Sequence, residues 1–279
     1  MVATPIGNLA DITLRALHVL QLADAIACED TRHTQALLRS YGLERPGSQL
    51  LAVHQHNEQE AAQTVVQRLQ AGQRIAYVSD AGTPGVSDPG ARLVAAVRAA
   101  GLRALPLPGA SSVTTALSVA GAVAQGVEAS GFVFAGFLPA KPGERAQAVA
   151  TLAQEPRCVV LLEAPHRIAE LAQSLATLGA RPVTLGRELT KQFEEVVTQP
   201  ASELPAWLAG APQRTRGEFV VLLHPAATAG DAGEGLRVLR LLLQELPVKT
   251  AVRLAAEITG EPRNALYAAA LALKHEDNE

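Results

Sequence analysis

The densest chemistry in the chain lies in Ser79-Asp80-Ala81-Gly82-Thr83-Pro84-Gly85-Val86-Ser87-Asp88-Pro89-Gly90, between an apolar run and an alanine-rich helical pattern. Its glycines permit positive φ and let a ligand approach the main chain closely. Its prolines stiffen the loop. Asp80 can accept hydrogen bonds from a ligand's hydroxyl or amino groups. A βα connection with an aspartate cap is the plainer explanation, but the turn-forming stretch is longer than a short connection needs, which favours a binding loop.

A second cluster, Glu29-Asp30-Thr31-Arg32-His33-Thr34, brings an acid pair, an arginine and a histidine to one place. Such a set suits proton transfer and phosphate contact. A helix start capped by Asp30 or Thr31, with Glu29 and Arg32 as a surface ion pair, fits the same residues. In His54-Gln55-His56-Asn57-Glu58 two histidines share one strand face. With no cysteine support and no third ligand evident, no metal site is expected, and His56 reads better as a hydrogen-bonding group. Asn57 and Glu60 resemble a capping-box variant. Pro108-Gly109-Ala110-Ser111-Ser112 puts small residues at a helix start, where free N–H groups suit a carboxylate or a flat ring; a serine cap is the alternative. Glu163-Ala164-Pro165-His166-Arg167, with Pro165 suited to a first helical turn, and Arg187-Glu188-Leu189-Thr190-Lys191 complete the polar loops.

The elements behind these loops alternate. Short apolar strands are expected at residues 25–28, 50–53, 75–78 and 102–107, with helices over residues 14–20, 91–100 and 113–120, Asp11 or Thr13 capping the first. That order implies a parallel sheet with sites at its carboxyl edge. The opening strand before Thr4 is short, and loss of a few upstream residues to start-site choice is expected. Residues 122–131 are loop-like and mark a composition shift. Strands at 132–137, 158–162, 183–188, 193–198 and 219–223 follow, residues 138–145 forming a rigid loop; the close spacing of 183–188 and 193–198 implies antiparallel pairing. Beyond a linker at 225–235, helices at 236–246, 249–258 and 263–273 make a helix-turn-helix pattern. The expected division is residues 1–121, 122–228 and 229–279.

Composition limits the function classes. The chain has 279 residues, 48% hydrophobic and 18% charged, with a net charge of −3. That is a globular protein without the basic balance usual for nucleic-acid binding, so any such partner must meet a local patch. No apolar run approaches a membrane span, no signal peptide is evident, and Cys28 and Cys158 are isolated; a cytoplasmic protein is expected. The GxGxxG, GxxxxGK[ST] and GxSxG patterns are absent, which disfavours dinucleotide, P-loop and serine-nucleophile chemistry. What remains is a ligand held by several loops and flanked by Asp80, Glu163 and Glu218. S-adenosylmethionine fits that description without being singled out by it.

Thr4-Pro5-Ile6-Gly7-Asn8-Leu9, the cluster at Glu29, the loop at Asp80 and Arg187-Glu188-Leu189-Thr190-Lys191 together resemble the signature of one family. It is the bacterial 16S ribosomal RNA cytidine 2′-O-methyltransferases, within the tetrapyrrole methylase superfamily, and the resemblance spans nearly the whole chain. It implies two α/β domains with S-adenosylmethionine in the cleft between them, a small helix-turn-helix-like tail, and a homodimer. The implied substrate is cytidine 1402 of 16S ribosomal RNA in the small ribosomal subunit. Implied cofactor contacts are Pro5, Asp80, Gly82, Thr83, Ser111, Ser112, Leu162, Glu163 and Ala164, with further contacts from the strand after Glu218. Glu29, Asp30, Arg32, His56, Glu188 and Lys191 are the expected RNA-side and catalytic residues, a carboxylate or His56 serving as base. Two departures stand out: the short first strand, and Ala164-Pro165, positions that vary in the family. The competing expectations are methylation of a corrin or porphyrin precursor, and a ligand-sensing DNA-binding regulator.

Overall fold

The computed structural model describes residues 1–54, 56–123, 131–226, 231–260 and 262–276. It divides into two compact units, residues 1–225 and 226–279.

The first unit opens with a helical turn at Leu9–Asp11, then α1 (Leu14–Leu22), β1 (Ala25–Cys28), α2 (Thr31–Ser40), β2 (Leu50–Ala52), α3 (Glu58–Gln70), β3 (Ile75–Val78), α4 (Gly90–Ala99) and α5 (Ser112–Ala120). Thr13 caps α1 by accepting from the Ala16 N–H at 3.0 Å. The strands form a parallel sheet in the order β2-β1-β3. Strand β1 is buried throughout. Ile26 and Cys28 face α1 and α2, and Ala27 faces the layer of α3 and α4. Residues 102–107 do not form the expected strand. Leu107 alone bridges, to Val2: the Leu107 N–H reaches the Met1 carbonyl at 2.9 Å and the Leu105 carbonyl accepts from the Met1 amino group at 3.0 Å, too few pairs for a ladder.

The unit continues with β4 (Phe132–Gly136), α6 (Pro142–Leu152), β5 (Cys158–Glu163), α7 (Ile168–Leu175), β6 (Pro182–Arg187), β7 (Glu195–Pro200), α8 (Leu204–Ala209) and β8 (Phe219–Leu223). These strands make a mixed sheet, β4-β5-β8-β6-β7, with only β4 and β5 parallel and β6-β7 antiparallel as expected. The loop expected at 138–145 is a helix from Pro142 onward, since proline is favoured in a first helical turn. Conversely, Pro165 precedes its helix, which starts at Ile168. Both faces of the mixed sheet are covered. Val159, Leu161, Phe219, Val221 and Leu223 face α6, α7 and α8. Cys158, Val160, Val220 and Leu222 meet Ile6, Val113, Ala116 and Ala120. Helix α5, which follows the first sheet in the chain, thus packs on the second.

The second unit holds α9 (Asp231–Glu245), α10 (Val248–Thr259) and α11 (Arg263–Glu276) around Leu239, Ala251, Val252, Ala255, Leu266 and Ala270. Gly260, at φ 75°, ends α10 in the left-handed conformation that a helix stop favours. Helix α9 begins inside the expected linker, whose residues 227–230 lie outside the described residues, as do residues 124–130 of the expected loop at 122–131. Among the described residues no helix is long and apolar enough to cross a membrane.

Candidate functional site

Because β1 and β3 are parallel neighbours, the loops that leave their carboxyl ends lie side by side. The Asp80 N–H donates to Glu29 Oε1 and the Asp30 N–H donates to Asp80 Oδ1, each at 3.2 Å. Asp30 caps α2, accepting from the backbone N–H groups of Arg32 and His33. Arg32 pairs with Asp30, at 3.0 Å, and not with Glu29 as its spacing suggests, because the capping geometry holds the Asp30 carboxylate over that turn. Hydrogen bonds from the Arg32 guanidinium and backbone hold the Asp30 carboxyl down at about 2. Burial, with Asp80 and Asp88 nearby, pushes the Glu29 carboxyl above its ordinary value despite the Asp80 N–H.

The loop from Ser79 to Gly90 is fixed from three sides. Thr4 and Gly82 exchange backbone hydrogen bonds at 3.0 Å, with Gly82 at φ 80°. The Thr83 hydroxyl donates to the Ala110 carbonyl at 2.9 Å. Asp88 accepts from the Gly85 and Gly90 N–H groups at 2.6 and 2.8 Å, and from the Tyr77 hydroxyl at 3.1 Å. Burial and the Asp88 charge push the Tyr77 phenol far above its ordinary value. Gly82 and Thr83 therefore shape the loop, while Asp80, Ser87, Ser111 and Ser112 help line a cavity of about 200 Å³ together with Glu29 and Asp88.

A second cavity, about 330 Å³, is lined by Ile6, Phe137, Leu162, Glu163, Ala164, Pro165, Leu189, Glu218, Phe219 and Val220. The two cavities adjoin, since Ala81, Ser112 and Leu162 line both. Of the nine expected cofactor contacts, Pro5 alone lines neither, though its neighbour Ile6 does. Ser111 sits at the start of α5 without a side-chain cap bond, and neither serine hydroxyl has a hydrogen bond among the described residues. Asn57 likewise does not cap α3. Its side chain turns back to the His54 N–H and the Ala52 carbonyl.

Glu163 lines the second cavity with its side chain fully buried. Oε1 accepts from the Ala164 N–H at 2.9 Å and lies 3.3 Å from Arg167 Nε, whereas Oε2 has no partner. A buried carboxylate oxygen without a donor is costly, so this atom is suited to accept from a ligand N–H or O–H.

At the rim, Lys191 Nζ donates to Glu188 Oε1 and Glu218 Oε2, both at 2.8 Å. The Glu218 N–H also reaches Glu188 Oε1, at 2.9 Å. Glu188 and Thr190 have φ of 52° and 67°, rare for residues with a Cβ. Such strain recurs where a surrounding structure enforces a site. Here the Asn8 N–H binds the Thr190 hydroxyl at 3.1 Å, and Gly7 leaves no room for a Cβ against Lys191.

Burial raises Glu188, but the Lys191 ammonium and the Glu218 N–H outweigh it and hold the carboxyl below 4.5. Burial lowers Lys191, but the two carboxylates outweigh it and hold the ammonium above 10.5. A depressed carboxyl stabilises the fold above its unfolded value and loses that as pH falls through the folded one. A raised ammonium stabilises below its unfolded value and loses that as pH rises through the folded one. The stability gap between wild type and Lys191→Ala should therefore stay level from pH 4.5 to 10.5 and narrow in stronger acid or base. Thermal melts across that range test this; a gap that changed near neutrality would refute the assignment.

The structure thus brings together Glu29, Asp80, Ser111, Ser112, Leu162, Glu163 and Ala164, with Lys191 and Glu188 joined to them through Glu218. His56 stands apart. It is exposed, in a wide groove of about 1080 Å³ beside α3 and α4, with Glu58 and Arg92. Ile6, Asp88, Phe137 and Leu189 line the cavities without having been expected. Asp88 carried a signal, since it sits between the loop's glycines; the others reach the site through long-range packing.

Comparison with known proteins agrees with this architecture. Residues 1–205 match the family model of tetrapyrrole (corrin/porphyrin) methylases, and residues 229–274 match the RsmI C-terminal HTH domain. The chain is 48% identical to the ribosomal RNA small subunit methyltransferase I of Xylella fastidiosa strain Temecula1, over 96% of each chain. It is also 48% identical to that of Escherichia coli O157:H7, over 97% of this chain and 93% of the relative. The uroporphyrin-III C-methyltransferase of Thermus thermophilus, solved with S-adenosylhomocysteine, shares the fold: TM-score 0.52 and 18% identity over 79% of this chain and 94% of that one. The chain belongs to the ribosomal RNA small subunit methyltransferase I family of the tetrapyrrole methylases.

Proposed function

We propose that the protein transfers a methyl group from S-adenosylmethionine to the ribose 2′-hydroxyl of cytidine 1402 in 16S ribosomal RNA of the small ribosomal subunit, working in the cytoplasm as a homodimer. The observation that carries the reading is identity of 48%, over nearly the full chain, to proteins named for small-subunit ribosomal RNA methylation. The choice of ribose and nucleotide rests on the four signature motifs.

The adjoining cavities suit the cofactor. Asp80, Ser111, Ser112 and the free N–H groups at the start of α5 offer donors and acceptors for a charged amino-acid end. Leu162, Leu189, Phe219 and Val220 offer apolar walls for a flat ring, with Glu163 Oε2 as acceptor. When bound, the cofactor's sulfonium supplies the methyl group and a neutral leaving group. The chain's own work is chiefly positioning. Glu29 lines the first cavity with a raised carboxyl, the better placed acceptor for the hydroxyl proton. His56 lines neither cavity, which disfavours it as base. Glu188 and Glu218 hold the Lys191 ammonium at the rim for substrate phosphate, and the exposed Arg32 adds a second cation.

Incubating unmethylated small subunits with labelled S-adenosylmethionine tests the reading. Label should appear on one ribose, at cytidine 1402. Lys191→Ala should cut kcat/KM about 10- to 100-fold, the weight of a hydrogen bond to a charged group. Label on a base would defeat the ribose assignment, label at another nucleotide the choice of cytidine 1402, and no label on subunits the function.

A further inference from the structure

Phe137 is one of five phenylalanines in the chain, and the residue is 53% exposed where it lines the second cavity. Strand alternation does not put it there. Phe134 packs on the α5 side of the mixed sheet and Ala135 on the side of α6 and α7. Strict alternation would then send residue 137 to the same face as Ala135, into the core. The register between β4 and β5 shifts between Phe134 and Gly136, and Gly136 takes φ 66°. This bulge reverses the alternation. Leu138 enters the core in place of Phe137, and Phe137 is turned toward the cavity. Bulges beside functional sites often re-aim a side chain in this way. The turned segment is also anchored, because Arg167 donates to the Leu138 carbonyl at 2.5 Å while lying 3.3 Å from Glu163 Oε1.

An anchored aromatic ring with one half in water lacks a partner on that half. The cavity interior already has apolar walls for the cofactor, so the missing partner comes from solution. Two cations neighbour the cavity-lining Glu218: Lys191, which is bonded to it, and Arg216, two residues before it in the chain, exposed and with no side-chain partner among the described residues. A flat ring on a phosphate-bearing backbone meets both requirements. We propose that Phe137 is the stacking platform for the unpaired base of the target nucleotide, with Arg216 on an adjacent phosphate. The proposal rests on the ribosomal RNA reading and specifies where that substrate lies. Reaching a ribose at a cavity rim requires a nucleotide out of its stack, and a stacking surface offsets that cost.

Phe137→Ala and Phe137→Leu should raise KM for small subunits about 10- to 100-fold, the usual weight of one base–aromatic stack, and leave kcat within a few-fold. Phe137→Tyr should restore KM, and S-adenosylhomocysteine affinity by calorimetry should be unchanged in all three. Arg216→Ala should weaken RNA binding and flatten its salt dependence. Loss of S-adenosylhomocysteine affinity with KM for RNA intact would make Phe137 an adenine platform and overturn the proposal. Wild-type KM in Phe137→Leu would overturn it too. If the wild-type protein labels no small subunits, the ribosomal RNA reading falls instead; a stacking failure shows only where the wild type is active.

Discussion

Gly217→Ala is expected to be among the most damaging single-methyl additions the chain can receive. Gly217 has φ 90°, and a Cβ there would lie 2.5 Å from Cγ, Cδ and Oε1 of Glu188. Strain from a Cβ at such φ costs about 1–3 kcal/mol. Displacing a packed neighbour costs about as much again. The neighbour is the carboxylate that holds Lys191 and the Glu218 N–H, so the same methyl group should also scatter the rim cations. The expected result is a melting midpoint lower by at least about 5 °C and a methylation rate reduced as in Lys191→Ala. Gly143→Ala is the control. It lies in α6 with nothing within 4 Å of the added carbon, and should be neutral or slightly stabilising. Equal midpoints for Gly217→Ala and wild type would mean that the loop at Glu188 relaxes freely.

Glu163→Ala should cost a comparable amount. Removing one member of a buried ion pair leaves the other uncompensated, at about 3–5 kcal/mol. It would strand Arg167, which is largely buried, and leave the Ala164 N–H without its acceptor. Glu163→Gln separates structure from binding. The amide oxygen can still accept from Ala164 and face Arg167, so more stability should survive than in Glu163→Ala, although the charge pairing is lost in both. The position of the orphaned Oε2 would carry an NH2 group, a donor facing a ligand's donor. Urea unfolding should therefore rank Glu163→Ala well below Glu163→Gln, while S-adenosylhomocysteine affinity should fall in both. Wild-type affinity in Glu163→Gln would show that Oε2 serves no ligand.

Much of the scaffold was legible because its signals are local. Alternating apolar runs and turns mark β1, β2 and β3, and Thr13 stands where a cap belongs. The tail shows helical periodicity broken at Gly260. Features that depend on distant partners left no such trace. Residues 102–107 have the composition of a strand but pair only at Leu105 and Leu107, with Met1 and Val2. Pro142-Gly143 reads as a breaker, yet proline opens a helix as readily as it ends one. The expected cofactor contacts come from resemblance, not from pattern, and eight of the nine line the two cavities. Phe137 escaped both routes, since a bulge changes the direction of a side chain without changing the composition around it. Glu188 and Thr190 stand in a motif that the resemblance marked, but their backbone conformation left no trace: positive φ is foretold by glycine, and neither residue is one.

Helix α5 carries a last consequence. Ile6, Val113, Ala116 and Ala120 share one apolar layer with Val160, Val220 and Leu222, so the helix that carries the cavity-lining Ser112 is welded to the mixed sheet. Any motion of one sheet against the other should therefore carry α5 with the mixed sheet, so that Ser112 keeps its place beside Leu162 and Val220 while its distance from Asp80 changes.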